Sequence, residues 1–169
     1  PNDTLNSDEY KVGPTLDIKP LSWLLFRASY LHSWRDDPGY KEDDNRKKFY
    51  LAKRDEDKAS LFADVSPWET LGFHAGFEFI SDNYPTIDIG VKNAQNYSPS
   101  VGVFYTPLEW IKLFADYNFD WFSWNQDYDT DRHYRGEDRV HTFSVGSEMD
   151  LIKDVLGFRI QYGFSQGLS

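Results

Sequence analysis

The chain has 169 residues, enough for one domain, and its net charge of −10 leaves no basic face for a phosphate backbone, which argues against a nucleic-acid partner. It contains no Cys, so a disulfide framework, a thiolate metal site, a catalytic thiol and a C-x-x-C-H haem attachment are excluded. Aromatic residues make up 18% of the chain, with 11 Gly and a single Met, a profile that favours strands over helices.

The opening PNDTLNSDEY carries neither the basic nor the apolar region of a signal peptide, which is expected to be absent or already removed. No apolar run reaches ~18 residues, so a transmembrane helix is excluded. Membrane strands stay open, because their hydropathy signal is weak and a mean hydropathy of −0.66 does not argue against them.

Period-two alternation then predicts eight strands. The first covers 9–18 and ends in a short turn at 19–22, within IKPLSW. The second, 23–34, opens on Trp23 and closes on Trp34, and a long polar loop is expected over 35–57. The third, 58–65, meets the fourth, 70–80, through a turn at 66–69, within VSPWET. In the fourth, Leu71, Phe73, Ala75, Phe77 and Phe79 share one face, with Gly72, His74, Gly76 and Glu78 on the other. A second long loop is expected over 81–95. The fifth strand, 97–105, and the sixth, 110–121, join at 106–109, within TPLEWI, and a third loop is expected over 122–138. The seventh, 139–149, and the eighth, 156–164, join through MDLIKDVL at 150–155. A hairpin thus recurs four times, short at one end and long at the other, as in outer-membrane barrels with periplasmic turns and extracellular loops.

Alternation alone does not separate a membrane barrel from a soluble one whose apolar face turns inward. The tryptophans do. Trp23, Trp68 and Trp110 lie beside the short turns and Trp34, Trp121 and Trp124 at the mouths of the long loops, as two aromatic girdles would. Trp23 to Trp34 and Trp110 to Trp121 are each eleven residues, about 36 Å of strand, which at a tilt of ~40° spans about 28 Å of bilayer. The expected fold is therefore all-β: antiparallel transmembrane strands in one barrel. With the turns periplasmic, both ends of the chain fall on the long-loop side, so the eight strands are expected to be a consecutive piece of a larger barrel.

With the elements placed, the sequence resembles the MtrB/PioB family of decahaem-associated outer-membrane proteins. The likeness rests on DTLNSDEYKVGPTLDIKPLSWLLFRASYLHSWR, RDEDKASLFADVSPWETLGFHAGFEF and YSPSVGVFYTPLEWIKLFADYNFDW. Its clearest mark is Ala63, Asp64, Val65, Ser66 and Pro67 followed by Thr70, Leu71, Gly72 and Phe73, the family's A-D-[VF]-S-P and T-L-G-[FV] runs. The resemblance implies a bacterial outer-membrane barrel that sheathes a multihaem c-type cytochrome for electron transfer across the membrane, an extracellular cytochrome being a further partner. Haem would belong to that partner, with no cofactor bound covalently by this chain. The alternative is a porin or transporter passing solutes through its own lumen.

Residues on the polar faces are the candidates for partner contact: Arg27, Asp64, His74, Glu78 and Asp116, then Asn118, Asp120, Glu148, Arg159 and Gln161. For any single charged residue among them, pairing across neighbouring strands is the favoured reading. Catalysis is not expected. His74 and Glu78 share a strand face about 13 Å apart, too far for a dyad, and no Ser–His–acid arrangement is legible. Asp127, Asp129, Asp131 and Asp138 have part of the spacing of a calcium loop, but Arg132 takes the position of its glycine. They form a weak calcium candidate beside the plainer reading of a solvated acidic loop.

Overall fold

A computed structural model describes residues 8–36, 53–85, 90–129, 132–152 and 155–168. These form one antiparallel sheet of nine strands: β1 (Asp8–Val12), β2 (Thr15–Leu21), β3 (Leu24–Asp36), β4 (Arg54–Trp68), β5 (Leu71–Asn83), β6 (Gly90–Leu108), β7 (Ile111–Asp129), β8 (Arg132–Ile152) and β9 (Leu156–Leu168). Each strand from β3 onward pairs with the next in sequence, while β1 and β2 lie end to end along the free side of β3. Among the described residues β9 and the β1–β2 pair have one neighbour each, so the sheet has two open edges.

The first predicted strand is in fact two. It breaks at Gly13 and Pro14, where the chain presses against β3: a Cβ on Gly13 would lie 1.9 Å from the carbonyl oxygen of Tyr30. Tyr30 N donates to Pro14 O at 3.1 Å and carries the pairing across the break.

The short turns are tighter than expected, and the prolines explain how. Leu21 pairs with Leu24, Trp68 with Leu71 and Leu108 with Ile111, leaving two-residue turns at Ser22-Trp23, Glu69-Thr70 and Glu109-Trp110. Just before each turn the register shifts, between Ile18 and Leu21, Val65 and Trp68, and Tyr105 and Leu108. Pro20, Pro67 and Pro107 sit inside these irregularities, where a residue without an N–H costs no ladder hydrogen bond. Neighbouring turns are also tied together: Ser66 N donates to Trp23 O at 2.8 Å and Thr106 N to Thr70 O at 2.7 Å.

At the other end the strands outrun their predicted limits. β7 continues to Asp129 and β8 begins at Arg132, so most of the segment expected as a loop over 122–138 is paired strand. β6 likewise starts at Gly90, inside the loop expected over 81–95, and β4 at Arg54, inside the one expected over 35–57. The backbone ladder is indifferent to side-chain polarity, so polar residues extend a strand as well as apolar ones once a neighbour is in register.

Burial is inverted relative to a soluble domain. Ala94 is the one buried apolar residue among those described, whereas Ser33 and Ser123 are buried and Leu61, Phe77, Phe143 and Tyr162 are exposed. There is no apolar core between layers, only a single sheet with two unlike faces.

Substitution of Gly13 by Ala is expected to cost about 1–3 kcal/mol, because the clash is with backbone that cannot rotate away. A urea series in detergent, following folded barrel with and without Gly13→Ala, checks this.

Candidate functional site

The register sorts every side chain onto one of two faces. One cross-strand row holds Ala28, Leu61, Phe77 and Pro99; another holds Val101, Tyr117, Phe143 and Phe164. Rings pack along this face, with Phe79 on Tyr97 at 4.8 Å, Tyr97 on Trp121 at 5.4 Å and Tyr117 on Phe143 at 4.7 Å between centroids. In water so large an exposed apolar face would drive aggregation; against lipid it is the surface a spanning strand needs.

Five of the six tryptophans suit a rim. Trp23 and Trp110 occupy the two-residue turns and Trp68 ends β4, all three exposed. At the other margin Trp34 stacks on Tyr10 at 5.9 Å, and Trp121 on the apolar face donates from Nε1 to Glu137 at 3.3 Å. Trp124 does not join them. Three residues beyond Trp121, an odd interval, it lies on the opposite face, its ring within 2.2 Å of where a Cβ on Gly136 would stand.

The other face collects all ten candidate contact residues. Arg27 donates two hydrogen bonds to Asp17 at 2.7 and 2.9 Å, Lys58 meets Glu78 at 2.7 Å, and Arg159 meets Glu148 at 3.1 Å and Gln161 at 3.2 Å. Apart from Arg159 and Gln161, which share β9, these contacts are pairings across neighbouring strands. His74 on β5 reaches Asp116 on β7 at 3.1 Å across the intervening β6, which places Gly102 between them. A Cβ there would fall 2.3 Å from both side chains, so the contact requires glycine. Asp116 also accepts from Ser144, Asp120 accepts from Ser98 at 2.6 Å and Asn118 at 2.6 Å, and Asp64 accepts from Ser66. Among the described residues, no Lys or Arg lies within 4.0 Å of Asp64, Asp116 or Asp120. His74 and Glu78 do not approach one another; each has its own partner.

Sequence reasoning missed two features of this face. The first is how its inward aromatics are seated: Phe104 lies over Gly72 and Phe114 over Gly146, with Lys112 4.9 Å above the first ring and Arg159 5.1 Å above the second. Glycine at a polar position of one strand, directly opposite a stray Phe on the neighbouring strand, is the signal that marks such a pair. The second is Arg54, expected in a loop, which meets Glu9 at 2.8 Å, Glu56 at 3.1 Å and Asp82 at 3.6 Å. This cluster lies beyond the apolar band, since above Phe79 the outward residues of β5 are Ser81 and Asn83. Burial pushes the Asp82 carboxyl up to about 6, with Glu56 adding to the shift and Arg54 opposing it.

The calcium candidate does not assemble. Asp127 pairs with His133 and Asp138 with Phe122, five residues apart on the ladder or about 16 Å, so one ion cannot reach both. Asp127 instead contacts His133 and Lys92. Asp131 lies outside the described residues, and among those described no group of three acidic or His side chains could hold a metal.

A single antiparallel sheet with an exposed, aromatic-rimmed apolar face and a polar, hydrogen-bonded opposite face is the wall of a transmembrane β-barrel. The family model described as "Putative outer membrane beta-barrel porin, MtrB/PioB" matches residues 3–169, and the chain belongs to the MtrB/PioB family of the bacterial outer membrane, a family of barrels and not of enzymes. No curated protein matches the sequence. No helix among the described residues is long and apolar enough to cross a membrane, which leaves the strands to do so.

Two outcomes follow from the unlike faces. Phe77→Arg, in the apolar row, is expected to destabilise the barrel by about 2–4 kcal/mol, and Ser100→Arg, on the polar face beside it, by less than about 1 kcal/mol; unfolding in lipid vesicles checks both. For Asp82 the folded state holds the proton more tightly than the unfolded chain. Stability from this group is therefore greatest near pH 4 and lost as pH rises towards about 6. Asp82→Asn should stabilise by on the order of 1–2 kcal/mol at pH 7.5 and not at pH 4, as urea midpoints at the two values would record.

Proposed function

We propose that this chain forms part of a barrel sheath that encloses a multihaem c-type cytochrome and insulates it from lipid while electrons cross the outer membrane. What supports the reading is the relief of the polar face. Gly72 and Gly76 on β5, Gly102 on β6 and Gly146 on β8 lower the wall, and the Phe104 and Phe114 rings reach over glycines. Such a surface suits close packing against a folded protein. Asp64, Asp116 and Asp120, which lack a Lys or Arg neighbour among the described residues, would meet basic side chains of that protein. With no Cys in this chain, haem attachment falls to the partner.

Barrel closure fits the same picture. Open edges are not tolerated in lipid, so β9 and the β1–β2 pair each require a further strand beside them. In this arrangement the turns beside Pro20, Pro67 and Pro107 face the periplasm and the opposite strand ends face outward.

A solute-passing porin is the second reading, favoured by a recess of about 430 Å³ whose mixed lining includes Phe62 and Phe77 beside Glu78, Ser98, Asn118 and Asp120. The two part on whether the lumen is filled. Purified from the outer membrane in mild detergent, the full-length barrel is expected to carry a c-type haem absorption band in a stable complex. Colourless protein with ohmic conductance in planar bilayers would overturn the sheath and support the porin.

A further inference from the structure

The period-two pattern reverses along β6, β7 and β8. Tyr30, Ala59, Phe79, Tyr97, Trp121 and Arg139 form one cross-strand row. On the turn side of it the outward face is apolar. On the far side the outward residues become Gln95 and Asn93 on β6, Ser123 and Asn125 on β7, and Glu137 and Arg135 on β8. The inward face there gains rings, with Phe122, Trp124 and Tyr134 set among Asn96, Ala94, Gln126, Gly136 and Asp138. From Trp121 to Asp129 is eight residues, about 26 Å of strand. This stretch has an outer face fit for water, so it stands beyond the bilayer. Its Trp121 indole N–H already points to Glu137, as an interfacial tryptophan should.

A free-standing aqueous wall has no reason to turn aromatics to one side unless something covers them. Here Trp124 lies flat on Gly136 and stacks against Phe122 at 5.3 Å, while Phe122 and Tyr134 keep 38% and 53% of their surface exposed. Opposite Phe122 is Asp138, with no Lys or Arg within 4.0 Å among the described residues. It extends beyond the membrane the pattern of inward carboxylates set by Asp116 and Asp120. Apolar rings with one carboxylate, Asp138, beside them suit a protein surface bearing basic residues, and the face continues the lumen wall on the same three strands.

We infer that β6–β8 form an extramembrane collar whose aromatic inner face docks the protein that fills the lumen, which therefore projects past the bilayer on the long-loop side. The inference rests on the sheath reading, and commits to that protein as the occupant in preference to a solute or a loop of the barrel.

The absence of Cys makes the test direct. Single Cys variants Gln126→Cys and Tyr134→Cys report the inner face, and Asn125→Cys and Arg135→Cys the outer face. Each is labelled with a membrane-impermeant PEG-maleimide in two preparations: the full-length barrel in its native outer membrane, and the barrel from cells unable to mature c-type cytochromes. Outer positions should react in both. Inner positions should react at least about tenfold more slowly when the cytochrome is present, as expected at the dry centre of an interface. Gln126→Cys leaves the rings intact and keeps the test valid should Tyr134→Cys weaken docking. Equal labelling of inner positions in both preparations, fast or slow, would overturn the inference, as would unreactive outer positions. Haem co-purification is scored separately, so a failed collar and a failed sheath give different results.

Discussion

An antiparallel ladder that pairs the backbone of each interior strand on both sides is the constraint on which the rest of this structure depends. In hydrocarbon an unpaired N–H or C=O costs several kcal/mol, so a strand can cross only as part of a continuous ladder. That requirement explains why the prolines sit in register irregularities beside the turns, and why successive turns are tied by a backbone bond from the residue before proline. It also makes the two open edges consequential, because the same rule that builds the interior forbids leaving an edge in lipid.

Once the ladder is set, its period of two assigns roles without further choice. A residue and its cross-strand partner face the same way, so a single apolar row on one strand propagates over the sheet. The same parity puts Trp121 against lipid and Trp124 on the inner side, though both are tryptophans near the end of one strand. It also lets His74 and Asp116 meet over Gly102, an arrangement in which a missing side chain on one strand joins residues on its two neighbours.

The electrostatics follow the two faces. Charges on the inner side pair across strands where a partner is near, as with Lys58 and Glu78, and those contacts are partly exposed and individually weak. Their value is in register, since a one-residue slip would move every one of them into the lipid-facing rows. Arg54 is different: it gathers three carboxylates above the apolar band, where water has limited access and Asp82 holds its proton to about pH 6.

Much of this was legible in the sequence, because alternation is a local property. The apolar rows, the turns at Pro20, Pro67 and Pro107 and the polar face of each strand that carries the ten candidate residues follow from the residues and their spacing along single strands. Strand ends were not legible. Polarity there reads as the mark of a loop, whereas pairing to a neighbour, a nonlocal fact, is what keeps 122–129 and 132–138 extended. For the same reason Phe104 over Gly72, Phe114 over Gly146 and the Arg54 cluster could not be foreseen: each joins residues distant in sequence, and register alone decides which of them meet. The sequence by itself determined which side chains share a face, since parity is built into the extended chain. Only the tertiary structure decided how far each strand runs and which residues touch across it, since those depend on hydrogen bonds to another strand.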